Sequence, residues 1–268
     1  MKTKYFYPDV DDRNTLALIK KNEPSSGYWE ISEKKILDLI KHLIEDKTSG
    51  KENLWLLDAG CGTGRLLPEF ERYFNHILAI DPDCTQIEKA EKTVKDCGFE
   101  DKVTFKVSSA EELEWKKESI DVVLCSHILQ HVPTDSVQKI LSRFHEILRQ
   151  DGLLFITTTH SRKSDDYFAK DLMKGSEILE KRISKEEFNS LINNDQNILP
   201  IHFFSANKLA NILMENGFKV LDCRSYHVLS KSKLFAQSLD RDDIVNASDQ
   251  LRTKFGRDIF LVSKKLVK

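Results

Sequence analysis

Residues 54–70, LWLLDAGCGTGRLLPEF, combine a short apolar run, an acid and three closely spaced glycines. The run ends on Asp58, and the glycines follow at alternate positions, Gly60, Gly62 and Gly64. Because glycine has no Cβ and tolerates positive φ, such a turn lets a ligand approach the backbone. The helix that follows begins with N–H groups that have no partner within the helix. The segment therefore predicts a strand, a ligand-binding turn and a helix.

The spacing of the glycines separates several classes of nucleotide-like ligand. Dinucleotide-binding turns have G-x-G-x-x-G, whereas here the third glycine comes one residue early and Arg65 stands at the expected position. A P-loop needs Lys-Ser or Lys-Thr after its last glycine, and neither pair follows Gly64. A second acid, Asp81, ends the next apolar run, HILAID, where it is suited to bind ribose hydroxyls. What remains is D-x-G-x-G-x-G with an acid after the next strand.

This pattern resembles the first motif of class I S-adenosylmethionine-dependent methyltransferases. The resemblance covers residues 30–160 well and 205–265 loosely. It implies S-adenosyl-L-methionine as the cofactor, with its methionine part on the glycine turn and its ribose hydroxyls on Asp81. Ser109 stands where the family usually has an acid for the adenine amine. The cofactor-binding residues that the resemblance implies are Asp58, Gly60, Cys61, Gly62, Gly64, Asp81, Pro82, Ser109, Ala110, Ser126 and His127.

Strand and helix patterns alternate around this turn, which is typical of a parallel sheet covered on both faces. We predict an α/β fold with a Rossmann-like, doubly wound, seven-stranded sheet. The sheet is mostly parallel, and the resemblance implies that its last strand is antiparallel. The predicted strands are 54–58, 76–81, 102–107, 120–125, 153–158, 218–228 and 257–265. Helices are predicted at about 64–74, at 84–97, from the N-cap Thr134 to a stop at Asp151-Gly152, and between Ser205 and Gly217.

Two regions lie outside this alternating core. Residues 1–30 are predicted to form an N-terminal lid segment, and 31–268 the methyltransferase domain. Helical patterns occupy about 12–22 and 32–46, and the second carries an apolar stripe that is predicted to pack on the sheet. A charged and irregular insertion at about 159–204, after strand five, is predicted to act as a cap, since loops of that length are usually functional or disordered.

Histidines follow the fourth and fifth strands, at the sheet edge where open α/β sheets bind ligands. Methyl transfer mainly requires a nucleophile held in line, and a base helps when the acceptor is an alcohol or a protonated amine. His131 and His127 are the catalytic candidates by topology. The alternative for His131 is to cap the following helix or bond the loop backbone, and that for His127 is to neighbour the cofactor with no proton role. Asp58 is suited either to contact the ligand or to brace the turn. The acceptor candidates are Tyr28, Trp29, His160 and His202, with ordinary packing as the alternative for both aromatics and for His202.

Composition narrows the classes of partner. The 41 basic and 43 acidic residues give a net charge of −2, which offers no overall attraction for nucleic acid. No apolar stretch approaches the roughly 20 residues that span a bilayer, and no signal-peptide pattern is present, so a cytoplasmic protein is expected. The five cysteines form no C-x-x-C pair, so neither a disulfide framework nor a metal site is predicted.

A small-molecule acceptor is the leading hypothesis, and two alternatives stay open. Amino-methylating DNA enzymes of this fold carry [DNS]-P-P-[YF] after strand four, where this sequence reads CSHI. That difference excludes the amino-methylating DNA enzymes. A methyltransferase acting on tRNA or protein stays open as the first alternative. A non-catalytic cofactor-binding protein is the other alternative, because fold does not fix function. The sequence predicts no oligomeric state.

Overall fold

The structure is a computed structural model that describes residues 26–174, 177–192, 199–228 and 256–266, with side chains for 33–170, 180–192, 200–226 and 256–266. The helix predicted at 12–22 lies outside the described residues. Tyr28 and Trp29 lie within a described helix, but their side chains lie outside the described set.

Ten strands and six α-helices are found within the described residues. The strands are β1 (Trp55–Ala59), β2 (His76–Asp81), β3 (Val103–Val107), β4 (Ile120–Ser126), β5 (Leu148–Thr159), β6 (Tyr167–Lys174), β7 (Glu177–Ile183), β8 (Leu199–Phe203), β9 (Phe218–Val228) and β10 (Gly256–Lys265). The helices are α1 (Ser26–Thr48), α2 (Leu67–Phe70), α3 (Cys84–Cys97), α4 (Thr134–Ile147), α5 (Lys185–Ile192) and α6 (Ala206–Glu215).

Seven strands form the central sheet in the order β3-β2-β1-β4-β5-β10-β9. Strands β1 to β5 are parallel, and β10 runs antiparallel between β5 and β9. Ala59 pairs with both Ile80 and Cys125, and Ser126 pairs with Thr157, so the carboxyl ends of four strands meet at one edge. The predicted seven-stranded sheet with an antiparallel last strand is confirmed.

Helices cover both faces of this sheet, as the nearly continuous burial of its parallel strands β1, β2 and β4 requires. One face packs on α4 and α6 and the other on α1, α2 and α3. The predicted stripe of α1 is buried at Ile36, Ile40 and Ile44, which confirms its packing on the sheet. No helix in the described part of the chain has the length and hydropathy needed to cross a membrane.

The helix predicted at 64–74 is shorter than expected. The chain turns through residues 60–66 before α2 begins, and a 3-10 helix, Glu71–Tyr73, completes the segment. All three glycines of the turn have positive φ, from 53° to 77°, which keeps the backbone out of the right-handed helical region. The turn therefore takes up residues that the apolar pattern had assigned to the helix.

The ends of α4 also differ from the prediction, because tertiary contacts replace local signals. Thr134 is the first helical residue rather than the cap, and the Asn189 side chain accepts its N–H at 3.1 Å. The helix ends at Ile147 rather than at Asp151-Gly152, since the chain passes directly into β5. Ser205 does occupy the cap position of α6, but its N–H is bonded by the Asp166 carboxylate at 2.7 Å.

The insertion after β5 is folded, contrary to the irregular segment that was predicted. Strands β6, β7 and β8 form a separate antiparallel sheet in the order β7-β6-β8, and α5 packs against it. The N–H of Phe204 donates to the Thr159 carbonyl at 3.0 Å, and the N–H of Ser161 donates to the Phe204 carbonyl at 2.8 Å. These bonds fasten both ends of the insertion to the carboxyl end of β5. Its charged residues had concealed its buried apolar residues, among them Ala169, Ile201 and Phe203.

Two glycines after helices provide a test of local packing. Gly98 and Gly217 have φ of 77° and 83°, but a Cβ would meet nothing within 4 Å at Gly98, whereas at Gly217 it would lie 2.7 Å from His145 Nε2. We expect Gly98→Ala to lower the free energy of unfolding by about 1–2 kcal/mol, the cost of left-handed backbone for alanine. Gly217→Ala should lower it further. Urea unfolding of both variants measures the difference, and equal losses would contradict the packing at Gly217.

Candidate cofactor and acceptor site

The three glycines of the turn serve different purposes. A Cβ on Gly60 would lie 2.7 Å from the Ile128 side chain, and one on Gly64 would lie 3.1 Å from the Ala90 backbone. Packing therefore requires glycine at these two positions. A Cβ on Gly62 would meet nothing within 4 Å, so this part of the turn faces open space that a ligand can occupy.

Asp81 braces the turn from the end of the neighbouring strand. Its Oδ2 accepts the N–H of Gly62 at 3.0 Å, and its Oδ1 accepts the N–H of Asp83 at 2.9 Å. The N–H of Cys61 also donates to the Ile80 carbonyl at 2.9 Å. Each carboxylate oxygen can accept more than one hydrogen bond. Asp81 is thus suited to receive ribose hydroxyls while it holds the turn, the role that the sequence had left open for Asp58.

Asp58 is buried beneath the turn, only 2% exposed, and its Oδ2 has no hydrogen-bond partner among the described residues. Burial raises the pKa of this carboxyl to about 7; Arg65 opposes the rise and Asp81 adds to it. A buried polar atom without a partner is unfavourable. A donor on a bound ligand would satisfy it, and the ammonium of a methionine moiety is such a donor.

The segment after β3 is engaged in its own turn. The Ser109 hydroxyl accepts the N–H of Glu112 at 3.1 Å, and both Ser109 and Ala110 are buried. Pro82 is exposed at the outer rim of the same edge. The contacts predicted for Ser109, Ala110 and Pro82 with the cofactor therefore stay predictions.

The segment after β4 is held in an uncommon conformation. His127 has φ of 56°, and its N–H donates to the Thr157 carbonyl at 2.8 Å. The hydroxyls of Ser126 and Thr157 lie 2.9 Å apart. Positive φ at a residue other than glycine costs free energy and is found disproportionately at functional sites. The bonds to β5 hold His127 at the carboxyl end of β4 in spite of this cost.

A line of hydrogen bonds joins both predicted catalytic histidines. Tyr226 Oη lies 3.2 Å from His127 Nε2, and His127 Nδ1 lies 3.1 Å from Gln130 Oε1. Gln130 Nε2 lies 3.0 Å from His131 Nε2, and His131 Nδ1 lies 3.0 Å from the Pro200 carbonyl. Sequence reasoning missed Tyr226, since it lies 99 residues after His127 and no local pattern marks it.

His131 is held as a neutral ring. Burial lowers its pKa to about 4, against the opposing effect of the Pro200 carbonyl, and His127 and Arg257 lower it further. Each ring nitrogen has a hydrogen-bond partner, Gln130 at one and Pro200 at the other. In this arrangement the ring connects the segment after β4 to the insertion.

The other two predicted histidines are buried where the insertion joins the sheet. His160 Nδ1 lies 3.2 Å from the Gly256 carbonyl. His202 Nε2 lies 3.0 Å from Asp166 Oδ2, and the His202 ring packs on Phe204 with centroids 3.8 Å apart. The structure thus places His202 in the packed position that the sequence had left as an alternative. Of the predicted residues, the glycine turn, Asp58, Asp81, Ser126 and His127 share one edge of the sheet.

A family model described as a methyltransferase domain matches residues 28–222. This chain belongs to the methyltransferase family. The family predicted from the glycine turn and Asp81, with its Rossmann-like class I fold, is therefore confirmed.

Curated proteins are similar to part of this chain. The ubiquinone biosynthesis O-methyltransferase of Brucella anthropi is 27% identical over 149 residues, which are 53% of this chain and 58% of that protein. The chain spans about half the length of the curated relatives that it matches first.

Two solved structures share the fold. A Burkholderia thailandensis 1,6-didemethyltoxoflavin-N1-methyltransferase with bound 1,6-didemethyltoxoflavin and S-adenosylhomocysteine has a TM-score of 0.55 at 16% identity, covering 98% of this chain and 93% of that one. The [4+2]-cyclase SpnF has a TM-score of 0.57 at 16% identity, covering 86% and 82%.

The raised pKa of Asp58 predicts a pH dependence of stability. An acid that is protonated more readily in the folded state contributes stability that declines as pH rises from its unfolded pKa, near 4, to its folded pKa, about 7. Asp58→Asn removes this titration. We expect the free energy of unfolding of Asp58→Asn, relative to the unsubstituted protein, to increase between pH 5 and pH 8 by an amount on the order of 1–3 kcal/mol. Urea unfolding at several pH values measures it, and a pH-independent difference would show that Asp58 is ionised throughout.

Proposed function

We propose that this methyltransferase transfers the methyl group of S-adenosyl-L-methionine to an oxygen, nitrogen or carbon of a small-molecule acceptor. The main support for the proposal is the glycine turn, which faces open space at Gly62. Asp81 bonds the turn from the neighbouring strand, and the unpartnered Oδ2 of Asp58 lies beneath it. These residues offer a backbone surface, a hydroxyl acceptor and an acceptor for a cation within one short stretch of the sheet edge.

The described residues fit the parts of this cofactor. Asp81 would hold the ribose hydroxyls, Asp58 the ammonium of the methionine moiety, and Gly62 would allow close approach to the backbone. The bound cofactor supplies a methyl group on a positively charged sulfur, which is already electrophilic. The chain has then to orient an acceptor nucleophile and exclude water, which is a contribution of proximity.

The insertion supports an acceptor of small size. Pro200, Asn189 and Phe204 hold the insertion against the segment after β4 and the end of β5. A cap that is bonded at three points favours an enclosed acceptor site over an open groove for a macromolecule. The relatives named above, a ubiquinone biosynthesis O-methyltransferase and a didemethyltoxoflavin methyltransferase, are consistent with this interpretation. The division into a lid at 1–30, a domain at 31–268 and a cap at about 159–204, and a cytoplasmic location, stay predictions.

Of the two histidines considered as the base, we assign the role to His127. His131 uses both nitrogens within the protein and is held neutral, so its ring positions the segment after β4. His127 adjoins the glycine turn through Ile128, which packs against Gly60. The partner of its Nε2 is the Tyr226 hydroxyl, which also bonds Thr157 and can turn its O–H toward that side chain when Nε2 accepts a proton.

Calorimetry with S-adenosylhomocysteine tests the cofactor half of the proposal. We expect the unsubstituted protein to bind, and Asp81→Ala to bind about 5- to 150-fold more weakly, the range for losing one partner of a buried polar group. Asp101→Ala, which removes an exposed acid before β3, is the matched control and should bind normally.

The outcomes of this calorimetry separate two errors. No binding of S-adenosylhomocysteine at millimolar concentration would sink the proposed cofactor. Normal binding by Asp81→Ala would retain the cofactor but show that the ribose contact lies elsewhere.

A methyl-labelled cofactor tests the acceptor half. We expect label from S-adenosyl-L-methionine to enter the small-molecule fraction of a cell extract, and not its RNA or protein. Label in RNA, with affinity falling steeply as salt rises, would favour the macromolecular alternative. Binding of S-adenosylhomocysteine without any labelled product would favour a non-catalytic role or another reaction, as the shared fold of a cyclase allows.

A further inference from the structure

The hydrogen bonds around Gln130 have a defined direction, because backbone groups determine both ends of the line. The N–H of Thr159, which can only donate, points to Gln130 Oε1 at 3.0 Å, and the Thr158 hydroxyl donates to the same atom at 3.3 Å. Oε1 is therefore the carbonyl oxygen, and the amide NH₂ faces His131. The Pro200 carbonyl, which can only accept, requires a proton on His131 Nδ1.

These two ends determine which atom carries each proton between them. His131 Nε2 accepts from the Gln130 amide, in agreement with its protonated Nδ1. Gln130 Oε1 can only accept, so His127 Nδ1 carries a proton and donates to it at 3.1 Å. In the neutral ring, His127 Nε2 then holds the lone pair, and Tyr226 donates its O–H to that atom at 3.2 Å. The direction runs from Tyr226 through His127, Gln130 and His131 to Pro200.

Tyr226 is suited to act only as a donor in this line. Burial raises the pKa of its phenol well above the usual value, and Asp258 adds to the rise. The phenol therefore keeps its proton at neutral pH. It lies beside Thr157 and lines, with Ser126 and Glu33, a narrow cleft between α1 and the sheet. The charged and titratable groups that face Tyr226 and His127 are Glu33 of α1, Arg257 and Asp258 of β10, and His131.

We propose that Tyr226 is a positioning residue of the methyl-transfer site: its hydroxyl bonds Nε2 and so orients the His127 ring, which Gln130 holds in the Nδ1–H tautomer with Nε2 as the proton-accepting atom. The inference rests on the proposed function, in which His127 is the base. The ring is bonded at both nitrogens, Nδ1 to Gln130 and Nε2 to Tyr226. Because the same line ends at Pro200, the cap and the base are held by one set of bonds.

Nitrogen-15 spectra of the histidine rings test this without knowledge of the acceptor. In the labelled full chain with S-adenosylhomocysteine, we expect His127 to show one tautomer, protonated at Nδ1, with a hydrogen-bonded Nε2; His127→Gln identifies its signals. In Tyr226→Phe, the Nε2 signal should move to the position of an unbonded ring nitrogen, and Nε2 should take up a proton at higher pH, because the donor that favours the neutral ring is gone. Tyr73→Phe, which removes a surface hydroxyl beside Arg72, is the control and should change neither.

Two outcomes would overturn the proposal. One is an Nε2–H tautomer of His127 in the unsubstituted protein, a measurement that needs no variant. The other is a folded Tyr226→Phe whose His127 signals and titration are unchanged. Binding of S-adenosylhomocysteine, measured on the same samples, reports separately on the proposed function. With an acceptor in hand, Tyr226→Phe should lower kcat about tenfold or more and leave the acceptor KM nearly unchanged.

Discussion

The hydrogen bond from the Gly62 N–H to Asp81 is the interaction on which the site depends. It joins the turn after β1 to the end of β2. It thereby holds Gly62, the glycine of the turn at which a Cβ would meet nothing within 4 Å. The bond forms because parallel pairing brings the carboxyl ends of β1 and β2 to the same edge. The positive φ of Gly60, Gly62 and Gly64 then keeps the turn out of the helix that the apolar pattern favours.

Asp58 shows how a binding site retains an unfavourable group. Its buried Oδ2 has no described partner, and its pKa is raised to about 7 by burial. An apolar residue of similar size would make the ligand-free fold more stable. A ligand with a positively charged donor would form a stabilising hydrogen bond with the same atom. The site would therefore bind such a ligand in preference to one without that donor.

Gln130 connects the two histidines of the segment after β4 to the rest of the fold. Its carbonyl oxygen receives donors from β5 and from His127, and its amide donates to His131, which bonds the insertion. One buried amide thus joins the segment after β4, the central sheet and the cap. Such a network is stable only when every member has its partner, which explains why the histidines here are oriented rather than free to rotate.

Local periodicity in the sequence predicts the seven strands of the sheet, the glycine turn and the acids at Asp58 and Asp81, and the resemblance implies the antiparallel last strand; parallel topology then brings the strand ends together. The folded structure was needed to show which acid braces the turn, that His202 is packed among aromatic rings, and that the insertion forms a sheet. It also decided that Tyr226 and Pro200 border the two histidines. These depend on contacts between residues that are 69 and 99 positions apart, and no local pattern encodes such distances.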